Sequence, residues 1–168
     1  MANKSKPTVG FQGVIYDSQL EAETSLTLGD KVTYLGGKNT NTLVRIGGHP
    51  VIRLANPNHR FIRYTHKSKA YYTTPDFKID GEDSLFIESK GNLDLRSRRN
   101  VEGLLSRGFL VGIVFPSEQA ANQPLFPSAN CTKAEWLIRR GLPYVTNPKE
   151  AAILIAELKH IKAKLEVL

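Results

Sequence analysis

The chain contains 168 residues, of which 40% are hydrophobic and 23% are charged, as in ordinary globular domains and unlike disordered or fibrous proteins. Its apolar runs are much shorter than the roughly 20 residues that cross a bilayer. The polar, basic N-terminus lacks the apolar core of a secretory signal. A single cysteine excludes an internal disulfide and a cysteine-based zinc cluster. We therefore expect a reduced, cytoplasmic protein with no membrane partner.

The charge of the chain favours an anionic partner. Lysine and arginine number 23 against 16 aspartates and glutamates, which gives a net charge of +7. Residues 38–107 hold 13 of the basic and 7 of the acidic residues, so this middle segment carries most of the excess. A basic domain of this kind suits a polyanion, with DNA or RNA ahead of an acidic membrane surface.

The predicted elements begin after a flexible, basic tail at residues 1–10. Ser18 and Glu21 form the S-x-x-E pattern of a capping box, which predicts a first helix that ends near Gly29. Apolar residues between turn signals then predict a series of short strands. These strands span residues 31–35, 42–46, 51–54, 70–79, 85–90 and 109–115. Pro75 interrupts the 70–79 strand, which indicates an edge or a kink there.

Helical patterns separate and follow these strands. The predicted helices span residues 93–107, 132–141 and 148–168. Gly108 is suited to ending the first of them, Thr132 and Glu135 form a second capping box, and Asn147 is a natural N-cap for the last. The last helix is amphipathic and is expected to pack on the domain or on a dimer partner. The order of elements predicts one α/β domain over residues 11–147, with a mixed β-sheet flanked by helices.

The residues best suited to chemistry lie on two neighbouring strands. Asp76 lies at the bend of a predicted hairpin, and Glu88 and Lys90 share one face of the partner strand because side chains alternate. Two carboxylates brought together there are hard oxygen ligands that suit Mg²⁺, which keeps several waters and substrate phosphate oxygens. A neighbouring lysine can stabilise a scissile phosphate and orient or deprotonate the attacking water. The pattern therefore predicts metal-assisted hydrolysis of a phosphodiester.

This motif resembles that of the PD-(D/E)xK nuclease superfamily, carried here as Pro75-Asp76, Glu88 and Lys90. Residues 72–77 (YTTPDF) and 88–91 (ESKG) are similar to the Tyr-Thr-Pro-Asp-Phe and Glu-x-Lys-Gly patterns of the phage endonuclease I family of Holliday-junction resolvases. The resemblance covers about residues 18–147. It implies a restriction-endonuclease-like core, Mg²⁺ as cofactor with Mn²⁺ as a substitute, and endonuclease action on double-stranded or branched DNA.

The resemblance also implies a third carboxylate and a partner subunit. The family carries a glutamate on its first helix in a Ser-x-Leu-Glu context, which here is Glu21, and this residue would complete the metal site with Asp76 and Glu88. Glu23 is the alternative, because Glu21 already has a capping role. The family is dimeric with exchanged N-terminal elements, and symmetric DNA substrates need two active sites, so we expect a homodimer. If the gene is carried by a phage, the host cytoplasm is the expected location.

Basic residues near the motif are candidates for contacts with DNA phosphates. The helix after the motif resembles the basic helix of the family, and three of its arginines fall on one arc of the helix. The predicted DNA-binding residues are Arg96, Arg98, Arg99, Arg107, Lys67 and Lys69.

Two other functions stay open at this point. Residues 38–69 form a longer segment than the family pattern has, and a site-specific homing or restriction-type endonuclease could use it to read base edges. From a different class, a non-catalytic DNA-binding or virion protein could keep the same fold. The motif residues would then form a structural ion cluster.

Overall fold

The structure is a computed structural model that describes residues 6–168. Its strands are β1 Thr8–Val9, β2 Ile15–Tyr16, β3 Val32–Tyr34, β4 Thr42–Ile46, β5 His49–Arg53, β6 Ile62–His66, β7 Lys69–Thr73, β8 Phe77–Ile79, β9 Leu85–Ser89, β10 Leu110–Val114 and β11 Tyr144–Val145. Its α-helices are α1 Gln19–Leu28, α2 Leu95–Ser106, α3 Glu118–Ala121, α4 Lys133–Arg139 and α5 Ile153–Glu166.

The central sheet has five strands in the order β11-β10-β9-β8-β3. Strand β9 pairs in parallel with β10 and antiparallel with β8, so the direction of the sheet changes at β9. The parallel β9–β10 pair requires a crossover, which α2 supplies. The predicted α/β fold with a mixed sheet flanked by helices is confirmed.

Continuous apolar sequence in β9 and β10 reflects burial on both faces of the sheet. A Cβ added at Gly112 would lie 3.2 Å from Leu154, which shows how closely α5 packs on one face. Ser89 belongs to the same face, and its hydroxyl donates a hydrogen bond of 3.1 Å to Thr24 on α1. Helix α2 packs against β10 and against β6. The core therefore lies around β9 and β10.

Two hairpins outside the central sheet account for most of the long middle segment. Strands β4 and β5 form one two-stranded sheet, and β6 and β7 form another. The predicted single strand over residues 70–79 is wrong, because β7 pairs with β6 whereas β8 joins the central sheet. Pro75 lies between them and has no N–H to continue a ladder, so the chain changes sheets there. Strand β6 was not predicted, although Ile62 and Tyr64 alternate with exposed polar residues.

The chain ends differ from the predicted pattern in two places. Thr8–Val9 pairs with Ile15–Tyr16, so this part of the predicted tail is a strand; residues 1–5 of that tail lie outside the described residues. Asn147 caps a short 3₁₀ turn, Pro148–Glu150, and the α-helix begins only at Ile153. Within residues 6–168, no helix is long and apolar enough to cross a membrane.

Candidate active site

Asp76 and Glu88 are brought together by the β8–β9 hairpin. Phe77 pairs with Ile87 in the antiparallel register, so the residue before Phe77 lies opposite the residue after Ile87. The side chain of Asp76 accepts a hydrogen bond of 2.7 Å from the backbone N–H of Ser89. Its backbone carbonyl accepts another, of 2.8 Å, from Leu35 in the loop after β3. Asp76 is therefore fixed between two neighbouring segments at the end of β9.

Glu88 and Lys90 follow on the same face of the sheet, because side chains two residues apart along a strand share a face. Glu88 is only 3% exposed, although charged groups are costly to bury without compensation. The backbone N–H of Lys90 donates to the carbonyl of Val114 at 2.9 Å, which continues the β9–β10 pairing to this residue. The predicted buried strand is confirmed over Leu85–Ser89, and Lys90 follows directly after its end.

Glu21 is held in place from two sides. Its backbone N–H donates to the hydroxyl oxygen of Ser18 at 3.1 Å, as the capping box predicted. Its carboxylate accepts hydrogen bonds from the hydroxyls of Ser18, at 3.4 Å, and Tyr34, at 3.1 Å. Glu23 is exposed and accepts a hydrogen bond from Gln19 on the same helix. Of the two glutamates, Glu21 is the one whose charge acts on Asp76 and Lys90.

Electrostatic interactions connect these groups. Burial, together with the negative charges of Glu21 and Glu88, raises the pKa of Asp76 well above its usual range. Burial and the charge of Asp17 raise the pKa of Glu21. The negative charge of Glu88 is the main cause that raises the pKa of Lys90. The acidic groups repel one another, and a nearby positive charge would relieve this repulsion.

The carboxylates of the site are the groups that could hold a divalent cation. Within the described part of the chain, no three His, Cys, Asp or Glu side chains form a ready-made metal-binding group. Mg²⁺ does not need such a cage, because it is commonly held by one or two carboxylates and completes its shell with water and phosphate oxygens. Asp76 and Glu88 at the end of β9 fit that requirement. The negative charge of Glu21 acts on Asp76, but the three carboxylates do not form one metal-binding group.

Three polar residues of this site were not found from the sequence. Arg53 on β5 forms an ion pair with Asp17, and its guanidinium also donates to the Tyr34 hydroxyl at 3.3 Å. The Tyr34 hydroxyl in turn donates to Glu21. Gly37 makes room for the arginine, since a Cβ there would lie 2.9 Å from the guanidinium. These contacts join residues far apart in the chain, so no local pattern predicts them.

The predicted DNA-binding residues separate into two groups. Arg96 on α2 is exposed, as are Lys67 and Lys69 around the turn of the β6–β7 hairpin. Three arginines have additional contacts within the protein. The guanidinium of Arg98 lies 5.6 Å from the ring centre of Phe126, that of Arg99 lies 4.0 Å from Tyr71, and that of Arg107 donates to the backbone carbonyl of Arg63.

Comparison of the chain with protein-family models, with curated proteins and with solved structures found no match. A function for this chain is therefore argued from its fold and from the geometry of the candidate site.

Proposed function

We propose that this protein is a Mg²⁺-dependent DNA endonuclease with a restriction-endonuclease-like core, and that it resolves four-way junctions. The observation that carries the proposal is the meeting of Asp76 and Glu88 at the end of β9, where Asp76 accepts a hydrogen bond of 2.7 Å from Ser89. Lys90 follows on the face of Glu88. An acid–acid–lysine arrangement at a strand end, in a basic domain, suits hydrolysis of a charged phosphodiester.

Each group has a distinct task in this reaction. Asp76 and Glu88 would hold Mg²⁺, with Mn²⁺ as a substitute, and Glu21 would complete the set. When bound there, the metal supplies charge neutralisation at the scissile phosphate and activation of the attacking water. Lys90 places a positive charge beside the phosphate and orients the water. Ser18 and Tyr34 hold the Glu21 carboxylate in one position before substrate arrives, which avoids reorganisation during the reaction.

A plasmid-nicking assay tests the chemistry directly. We expect nicking with Mg²⁺ or Mn²⁺ and none with EDTA. Asp76→Asn and Glu88→Gln should abolish nicking while DNA binding survives or becomes tighter, because each substitution removes a negative charge near phosphates. Asp83→Asn is the matched control, since the Asp83 side chain is fully exposed near the turn of the same hairpin.

Two results would reject the proposed chemistry. Absent cleavage by the wild-type chain would leave only a DNA-binding role, and cleavage that persists in EDTA would refute the proposed metal site. Near wild-type turnover by Lys90→Ala at neutral pH would show that the motif residues are assigned wrongly.

The proposed substrate is a four-way junction, cut by a homodimer with one active site on each of two equivalent strands. We expect at least a ten-fold preference for the junction over linear duplex at about 0.1 M salt, roughly 1.4 kcal/mol. Paired nicks should move with the branch point when flanking sequence changes. Cuts at one fixed sequence in linear DNA would instead identify a site-specific endonuclease. A monomer in sedimentation experiments, with and without DNA, would reject the dimer.

A further inference from the structure

A groove of about 470 Å³ lies on the molecular surface between the turn of the β6–β7 hairpin, α2 and α4. We call it the α2 groove. The residues that matter for its chemistry are four cations and two aromatic side chains: Lys67, Arg98, Arg99, Arg140, Tyr71 and Trp136. The middle segment and the C-terminal third of the chain thus meet at one basic, aromatic surface.

Aromatic rings hold two guanidinium groups of the α2 groove in fixed orientations. The guanidinium carbon of Arg99 lies 4.0 Å from the ring centre of Tyr71, and that of Arg140 lies 3.7 Å from the ring centre of Trp136. All three nitrogens of Arg140 already donate hydrogen bonds, to Glu102 and to the backbone carbonyl of Trp136. Among the described residues, Arg99 donates only through Nε, to the Tyr64 hydroxyl, so its two terminal nitrogens can still bind the oxygens of a phosphate. The aromatic faces are already covered, so they do not offer stacking platforms for bases.

The charges of the α2 groove are not balanced within the described part of the chain. Arg140 forms an ion pair of 2.7 Å with Glu102. Arg98, Arg99 and Lys67 form no ion pair with any residue of the range 6–168. Three positive charges at one surface, without an acidic partner in that range, favour the binding of an anion.

The turn that carries Lys67 gives a second, independent observation. His66 pairs with Lys69, so Lys67 and Ser68 alone form the turn, and their φ angles are 47° and 66°. Asn and Gly are the usual residues where both φ angles are positive, because other side chains are strained there. A lysine at this position weakens the turn but places a positive charge at the α2 groove, which indicates a role for the charge.

The position of the groove relates it to the candidate active site. Leu95, Arg98, Arg99 and Glu102 have the i, i+3, i+4, i+7 spacing of a single helix face. Helix α2 begins five residues after Lys90, and Arg98 lies about one helical turn, roughly 5 Å, from its start. Two cations about one turn into the helix that follows Lys90 suit backbone phosphates of the DNA strand that would be cleaved.

We propose that the α2 groove binds backbone phosphates of the DNA strand beside the cleavage site, with Lys67, Arg98 and Arg99 as the direct contacts. Arg140 is a positioning residue, because it stacks on the Trp136 ring and forms an ion pair with Glu102. This assignment rests on the proposed nuclease function, which supplies the DNA partner.

The test measures DNA binding without cleavage. Full-length protein carrying Asp76→Asn is titrated in EDTA onto a fluorescein-labelled junction and a labelled duplex, and anisotropy is recorded over a range of salt. Adding Arg98→Gln, Arg99→Gln or Lys67→Asn should weaken binding about ten-fold and lower the salt slope by about 0.9 for each lost phosphate contact. Arg139→Gln on α4 is the matched control, since Arg139 is exposed and lies outside the groove.

Lys67→Asn separates function from structure. Because Asn tolerates positive φ, this variant should unfold at the same or a higher temperature than its parent while it binds DNA more weakly. A variant that loses binding only because the fold is damaged would unfold at a lower temperature, and this result for all three variants would overturn the proposal.

The remaining outcomes are also decisive. Unchanged affinity and salt slope in all three variants would overturn the α2 groove as a DNA site. Competition by poly-glutamate as effective as that by DNA of equal charge would show that the groove accepts any polyanion, which also contradicts the proposal. A protein whose binding depends on the groove but which never nicks DNA would refute the nuclease function and leave the groove assignment standing.

Discussion

The two hairpins of the middle segment are attached to the domain in different ways. The β6–β7 hairpin is held by packing: Tyr64 is 1% exposed, and a Cβ added at Gly103 of α2 would lie 2.3 Å from its ring. The β4–β5 hairpin is held by polar contacts near its end, where Arg53 pairs with Asp17. Its outward residues Leu43 and Ile52 are 69% and 56% exposed.

The attachment of the β6–β7 hairpin is purely structural, whereas the attachment of the β4–β5 hairpin includes residues that contact the candidate active site. An isolated two-stranded hairpin is marginally stable in water, so each hairpin depends on its attachment. Packing around Tyr64 stabilises the fold without directing any one catalytic group. Arg53 instead contacts Tyr34, which donates to Glu21, so the β4–β5 hairpin helps to orient a candidate metal ligand. Changes to the packed strands of the β6–β7 hairpin, away from its turn at Lys67, should affect mainly stability. Changes at the Arg53 end of the β4–β5 hairpin should affect mainly activity.

The largest effect is expected at the packed hairpin. At an exposed helix position, replacing glycine by alanine raises the free energy of unfolding by about 1 kcal/mol. At Gly103 the new methyl of Gly103→Ala instead collides with the buried Tyr64 ring. We expect a net loss of about 2 kcal/mol in the free energy of unfolding, as is typical of overpacking. Urea denaturation measures it. In a double-mutant cycle, Tyr64→Leu should remove part of this cost, and fully additive losses would contradict the packing argument.

Arg53→Met tests the polar attachment. Removing one member of a buried ion pair costs about 3–5 kcal/mol. Because the Asp17 side chain is 53% exposed, solvent reduces this cost to about 1–2 kcal/mol. The cleavage rate should fall by more than the loss of folded protein explains, because Tyr34 loses the hydrogen bond from Arg53 and no longer holds Glu21 in place. Arg45→Met, an exposed arginine of the same hairpin, is the control, and equal effects of the two substitutions on turnover would refute the special role of Arg53.

Tyr34→Phe separates the hydrogen bond from the ion pair. The substitution keeps the ring that packs on Tyr16 and Phe77 and removes the hydroxyl that contacts Glu21. We expect a loss of about 1 kcal/mol in stability. Cleavage should require more Mg²⁺ for half-maximal rate while DNA affinity stays unchanged. An unchanged Mg²⁺ requirement would show that Tyr34 does not position Glu21.

The smallest effect is expected on the outward face of the β4–β5 hairpin. Leu43→Thr and Ile52→Thr should each change the free energy of unfolding by less than about 0.5 kcal/mol, because both side chains are already exposed to solvent. Thermal unfolding at several protein concentrations measures this. A large, concentration-dependent loss would instead show that a second subunit covers this face.

Local chemistry explains which parts of the fold could be predicted. Ser18 and Thr132 cap α1 and α4 as their sequence patterns indicate, because a cap is formed by residues three apart. The apolar run of β9 similarly identified the central strand and, with it, Glu88 and Lys90. Both kinds of feature depend only on residues that are close together in the sequence.

Features formed by distant residues could not be predicted. Nothing near Arg53 in the sequence indicates its contact with Asp17, 36 residues earlier. The sheet change at Pro75 needed knowledge of β6, whose five residues do pair with β7. Glu21 could be proposed only through a family resemblance, since its contact with Tyr34 depends on how α1 and β3 pack.

The reversal of direction at β9 has a consequence for folding. Antiparallel β8–β9 pairing joins residues close in sequence, such as Phe77 and Ile87, whereas parallel β9–β10 pairing joins Ile87 to Gly112 across α2. Hairpins close in about 1–10 μs, and contacts of longer sequence separation form more slowly. We therefore expect Asp76 and Glu88 to meet early, before the strand that completes the core arrives. The candidate catalytic pair then belongs to a local folding unit, and it should keep its arrangement when the distant edge strand β11 opens transiently.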